Sequence, residues 1–112
     1  MAVWFEIVSL HTCETSFSEH FLRSAAGPHL TAIRQQPDCL ALAVLEQPDV
    51  FGSFALAVRW ERSGSPRKSR EMLALADYLA TQGLVDHELW VEAEGEIMPS
   101  SSGRRRTPSP RE

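Results

Sequence analysis

A chain of 112 residues with 43% apolar and 23% charged side chains is the size of one domain, and it is too apolar to stay unfolded. Its net charge of −4 hides an asymmetry: residues 1–96 carry 7 Lys+Arg against 14 Asp+Glu, whereas residues 97–112 carry 4 Arg against 1 Glu. An acidic body argues against nucleic acid as the main ligand, and the longest apolar runs, Leu40 to Leu45 and Phe54 to Val58, are far short of the roughly 20 residues that span a bilayer.

The N-terminus has no basic region ahead of its apolar stretch and no small-residue cleavage site, so no secretory signal and a cytoplasmic location are expected. In that setting Cys13 and Cys39 are expected to be reduced thiols.

Residues 2–10 are rich in aromatic and β-branched types and read as a first strand. Trp4, Val8 and Leu10 fall on one face with Glu6 among them; Val3, Phe5 and Ile7 fall on the other. Both faces are apolar, so both need cover. A helix follows, opened by a capping box at Ser16 and Glu19. Phe17, Phe21 and Ala25 recur every four residues, beside a stripe of Leu22, Ala26, Leu30 and Ile33. Gly27-Pro28 requires a kink or a restart, because proline removes a donor and clashes with the preceding turn. Pro37 ends the segment.

Residues 40–46 read as a second strand and residues 54–61 as a third, joined by a turn-rich loop and therefore antiparallel. In the third strand Phe54, Leu56, Val58 and Trp60 point one way, and Ala55, Ala57, Arg59 and Glu61 the other. A second helix is expected with Ser65 as N-cap and Pro66 at its first position, an apolar stripe of Met72, Ala76 and Leu79, and Gly83 as a left-handed C-terminal cap. Residues 87–94 read as a fourth strand, with Glu92, Glu94 and Glu96 on its solvated face. From Met98 on the chain is dominated by Ser, Pro, Arg and Gly without apolar period, which predicts a disordered basic tail over 97–112.

The order β-α-β-β-α-β predicts an α+β, ferredoxin-like domain over residues 1–96, with an antiparallel sheet in the order 4-1-3-2 and both helices on one face. Cys13 and Cys39 then lie at opposite ends of the sheet, too far apart for a disulfide. The uncovered face would expose several hundred Å² of apolar surface, so a homodimer packed sheet to sheet, a dimeric α/β barrel, is expected. Arg59 on that face needs a carboxylate, with Glu6 or an acid of the partner chain as the expected match.

The stretch Pro37-Asp-Cys-Leu40, Val44-Leu45, a short Pro/Asp/Gly loop and Phe54-Ala-Leu-Ala-Val-Arg-Trp-Glu61 resembles the antibiotic biosynthesis monooxygenase (ABM) domain. The resemblance implies a dimeric α/β barrel whose pocket lies between the sheet and the helices of one protomer. It also implies a monooxygenase that oxidises small aromatic, polyketide-like compounds, in one branch without metal or flavin. Trp60 matches the strand 3 tryptophan that lines the pocket. The chain departs from that pattern in having no asparagine, where both oxygenase branches use a pocket Asn, and no histidine between residues 61 and 86, where haem-degrading members take their iron ligand. No cofactor is therefore expected, and the base must be another residue.

His11, His20, His29 and His87 are the available imidazoles. His20 and His29 are nine residues apart, about two and a half helical turns, so a straight helix turns them opposite ways and a shared metal site is not expected. Catalysis by His20 and Tyr78, with Trp60, Phe21 and His29 as substrate contacts, is the expected site. The alternative for each is a packing role: Trp60 as core, Tyr78 with its hydroxyl at the helix rim, His20 and His29 at the helix edge. A non-catalytic dimeric barrel that binds a small apolar ligand, or serves only for oligomerisation, is the competing reading of the whole chain.

Overall fold

The computed structural model describes residues 1–12, 24 and 26–93 of the chain. The elements are β1 (Ala2–His11), α1 (Gly27–Arg34), β2 (Cys39–Glu46), β3 (Ser53–Arg62), α2 (Arg70–Leu79) and β4 (Leu84–Trp90). They form one four-stranded sheet in the order β2-β3-β1-β4, the expected 4-1-3-2 order read from the other edge. Every neighbouring pair is antiparallel.

Alternation along β1 sends Trp4, Glu6, Val8 and Leu10 to one side, where all four are fully buried. In register beside them stand Leu56, Val58 and Trp60 of β3. Over this face pack Leu30 and Ile33 of α1 and Met72, Leu75 and Leu79 of α2. Burying a large apolar side chain contributes about 1.5–3 kcal/mol, so this core, which Ala26 and Phe54 complete, is the main source of stability. The other side of the sheet carries Phe5 and Ile7 of β1 beside Arg59 and Ala57 of β3, and Trp90 and Glu88 of β4. Neither described helix packs there.

The proline restart is realised at α1, which begins at Gly27 with proline in its first turn and ends at Arg34, ahead of Pro37. The upstream part of that helix, with Ser16, Glu19, His20 and Phe21, lies outside the described residues, as do Cys13 and residues 94–112.

Several boundaries differ from expectation. α2 starts four residues later than Ser65 and Pro66 suggest. Its N-cap is Ser69, whose hydroxyl accepts from the Met72 amide. Ser69 is preferred because its own amide is also tied into the core, as described below. Gly83 is not a left-handed cap: α2 ends at Leu79 with Ala80 as a right-handed C-cap, and among the described residues the positive-φ glycines are Gly52 and Gly64. Gly83 is needed for space, since a Cβ there would stand 2.3 Å from the His11 carbonyl oxygen. Gly52 serves both purposes, with φ of 80° and a would-be Cβ 2.0 Å from the Thr12 carbonyl oxygen. β4 begins at Leu84 and ends at Trp90, so Glu92 lies past the strand rather than on its face. Finally, Arg59 is not paired with Glu6. Their side chains leave opposite faces of the sheet, and the Arg59 guanidinium lies over the Phe5 ring at 5.8 Å.

No described helix is long and apolar enough to cross a membrane.

Candidate functional site

The most polar point of the core is Glu6. It sits at the middle of β1 with no exposure to solvent. A carboxylate in that position is costly unless its oxygens are hydrogen-bonded, and two donors and an imidazole meet them. Trp60 Nε1 donates to Oε1 at 2.9 Å, and the Ser69 amide donates to Oε2 at 2.9 Å. His87 Nε2 lies 2.6 Å from Oε2. One side chain thus joins β3, the N-terminus of α2 and β4 to the central strand. Its charge also faces the positive end of the α2 dipole.

The register explains the convergence. Glu6 stands opposite Val58 and Leu89, so Trp60 and His87 each lie one same-face position away on the flanking strands. His87 keeps 9% of its side chain exposed, against none for Glu6. Its Nδ1 makes no hydrogen bond among the described residues. Chemically this is an imidazole whose one nitrogen is held by a carboxylate while the other is left for a proton, the arrangement of a base and its orienting group.

Trp60 is fully buried. Its indole edge is bonded to Glu6, and the Arg62 guanidinium covers its ring at 3.8 Å. Arg62 is held in turn by the Asp38 carboxylate and lies 3.9 Å from Glu71. Trp4, cross-strand partner of Trp60, has the one buried side-chain nitrogen or oxygen without a hydrogen bond among the described residues. An unpaired buried donor costs about 1–3 kcal/mol, so an acceptor brought from outside would be stabilised there.

His29 and Tyr78 come together as a separate pair, with ring centroids 5.6 Å apart and planes inclined by 29°. Tyr78 is nine residues along from Ser69, about 13 Å down the α2 axis from the Glu6 group. Of the expected site residues, then, Trp60 joins the Glu6 cluster, His29 and Tyr78 join each other, and His20 and Phe21 lie outside the described residues. Sequence reasoning passed over the Glu6–His87 pair. The signal was available: an acid between Trp4 and Val8 on a buried face requires buried donors.

Two cavities, of about 310 and 390 Å³, open at the far end of β1. Both touch His11, roughly 24 Å along the strand from Trp4. Val50, Phe51 and Leu84 make the larger one apolar. Among the described residues no three His, Cys, Asp or Glu side chains are grouped to hold a metal ion. Burial raises the Cys39 thiol above its ordinary pKa, and the neighbouring Asp38 carboxylate acts in the same direction.

No protein-family model matches the sequence, and no curated protein is significantly similar to it. Solved structures do match the fold. SnoaB, a cofactor-independent oxygenase from Streptomyces nogalater, aligns with 88% of this chain and 99% of its own, at 14% identity and a TM-score of 0.63. A monooxygenase from the gene ActVA-Orf6 of Streptomyces coelicolor, in complex with nanaomycin D, aligns with 88% of this chain and 94% of its own, at 17% identity and 0.63. Rv0793 from Mycobacterium tuberculosis aligns with 86% of this chain and all of its own, at 15% identity and 0.62.

Proposed function

We propose that this chain, whose fold is that of the antibiotic biosynthesis monooxygenases, is an oxygenase that oxidises a small aromatic compound with O₂ and without a metal or flavin. The observation that supports this most is the near end-to-end agreement of its fold with a cofactor-independent oxygenase and with a monooxygenase in complex with nanaomycin D. Such chemistry asks little of a protein. A phenolate or stabilised carbanion gives an electron to O₂ directly, so the protein deprotonates, orients and desolvates the substrate. For an anthrone, O₂ supplies one oxygen atom to the new quinone carbonyl, and the other leaves as water with the two hydrogens lost from the ring. The acidic body and the apolar core face suit a neutral aromatic better than an anion.

We further propose that the working unit is a homodimer. Phe5, Ile7, Ala57 and Trp90 give the uncovered face an apolar centre, and Trp90 is 55% exposed in the single chain. A second copy packed sheet to sheet would bury this surface.

The competing reading, a non-catalytic dimeric barrel that binds an apolar ligand or only oligomerises, is favoured by two facts. The chain has no asparagine. Trp60, the expected pocket wall, is occupied on its ring face by Arg62 and at its edge by Glu6. Incubation with a panel of anthrone-type and hydroquinone substrates separates the two, read by quinone absorbance and O₂ uptake. The oxygenase reading expects turnover that falls in Trp60→Phe. No turnover above buffer, with the variant indistinguishable from the parent, removes it.

A further inference from the structure

We infer that His87 is the proton acceptor of this protein, that it takes the proton of a phenolic hydroxyl on Nδ1, and that Glu6 is the positioning residue that keeps this nitrogen bare. The inference rests on the reading above for its ligand class and on the hydrogen bonds of this chain for its residues. Glu6 is fully buried, and its other hydrogen bonds come from Trp60 and the Ser69 amide, donors with no acceptor capacity in these contacts. An ionised Glu6 accepts only, so the 2.6 Å contact requires the proton to sit on His87 Nε2. The neutral imidazole then has its lone pair on Nδ1. His87 keeps a small solvent contact on the edge strand β4 while Glu6 has none, so the rim of the sheet is the side from which the ligand would approach.

The step balances simply. The ligand's O–H bond breaks, its proton bonds to Nδ1, and the electron pair stays on the oxygen as phenolate. The imidazolium so formed keeps its Nε2–H on the Glu6 carboxylate, where the opposite charges are most favourable because water is excluded. Glu6 itself does not touch the ligand.

The probe is 4-nitrophenol, whose phenolate absorbs in the visible range. At a pH where free probe is mostly protonated, the parent protein converts bound probe to phenolate, and His87→Gln returns it to the free-solution ratio. No phenolate signal with the parent, or an equal signal with His87→Gln, overturns the inference. Because a core variant can misfold, the second measurement uses the parent chain with ¹⁵N-labelled histidine. Neutral His87 is expected to carry its proton on Nε2 with Nδ1 unprotonated; the reverse tautomer overturns the inference. In Glu6→Gln the amide oxygen that keeps the Ser69 donor satisfied still accepts from Nε2, so the tautomer stays, but the imidazolium loses its counter-charge and the phenolate signal falls even where the fold is kept, an outcome that packing alone would not produce. Probe ionisation without O₂ uptake on the substrate panel would leave His87 as the base and remove only the oxygenase reading.

Discussion

The two faces of this sheet are built from the same strands and solve opposite problems. On the covered face the helices exclude water, and a carboxylate survives there because hydrogen-bonding groups from three different parts of the fold meet it. On the uncovered face Phe5, Ile7 and Ala57 remain only partly buried, and the charged side chains, Arg59 and Glu88, are exposed. The first face is covered by the described helices and polar at its centre; the second is apolar at its centre and is the face on which the proposed homodimer would pack. A buried carboxylate with every oxygen bonded belongs to a packed face, whereas a half-buried apolar row is the surface a partner would cover.

The sharpest way to break that contrast is to remove the acid. Glu6→Ala leaves the Trp60 indole, the Ser69 amide and His87 without their acceptor, and it should destabilise the fold by about 3–5 kcal/mol in a urea titration. A change below about 1 kcal/mol would mean that the cluster does not hold the covered face together. Next in size is the N-cap. Ser69→Ala removes the hydroxyl that accepts from Met72 but keeps the amide on Glu6, so it should cost about 0.5–2 kcal/mol and leave the His87 tautomer as it was. The smallest effect concerns Cys39 at the start of β2. Burial raises its pKa, so the thiolate fraction at neutral pH is below that of an ordinary cysteine. Alkylation by iodoacetamide, followed at Cys39 by peptide mass mapping, should be slower than for an unfolded peptide of the same sequence, and the difference should vanish in denaturant. Equal rates in the folded chain would contradict a partly buried thiol of raised pKa.

Much of the fold was legible because alternation and helical period are properties of a segment. The split of β1 into Trp4-Glu6-Val8-Leu10 and Val3-Phe5-Ile7, and the strand order, follow from period two and from the short loop between β2 and β3. What failed depends on partners distant in sequence. Ser65-Pro66 has better local capping chemistry than Ser69, yet Ser69 wins because its amide reaches Glu6, 63 residues away. Gly83 looks like a cap but answers to the His11 carbonyl on a neighbouring strand. Arg59 looks like a partner for Glu6 until the register sets Arg59 against Phe5 and turns the two charges to opposite faces. The candidate site suffered most, since His87 gains its meaning only when β4 is paired with β1.

Sedimentation velocity on dilute protein, with Ile7→Asp run beside the parent, tests the contrast most directly. The parent should sediment as one species of twice the chain mass, and Ile7→Asp as a folded monomer with an unchanged far-ultraviolet circular dichroism spectrum. A parent that is monomeric at every concentration would contradict the account, because the apolar row on the open face would then have no partner to answer for it.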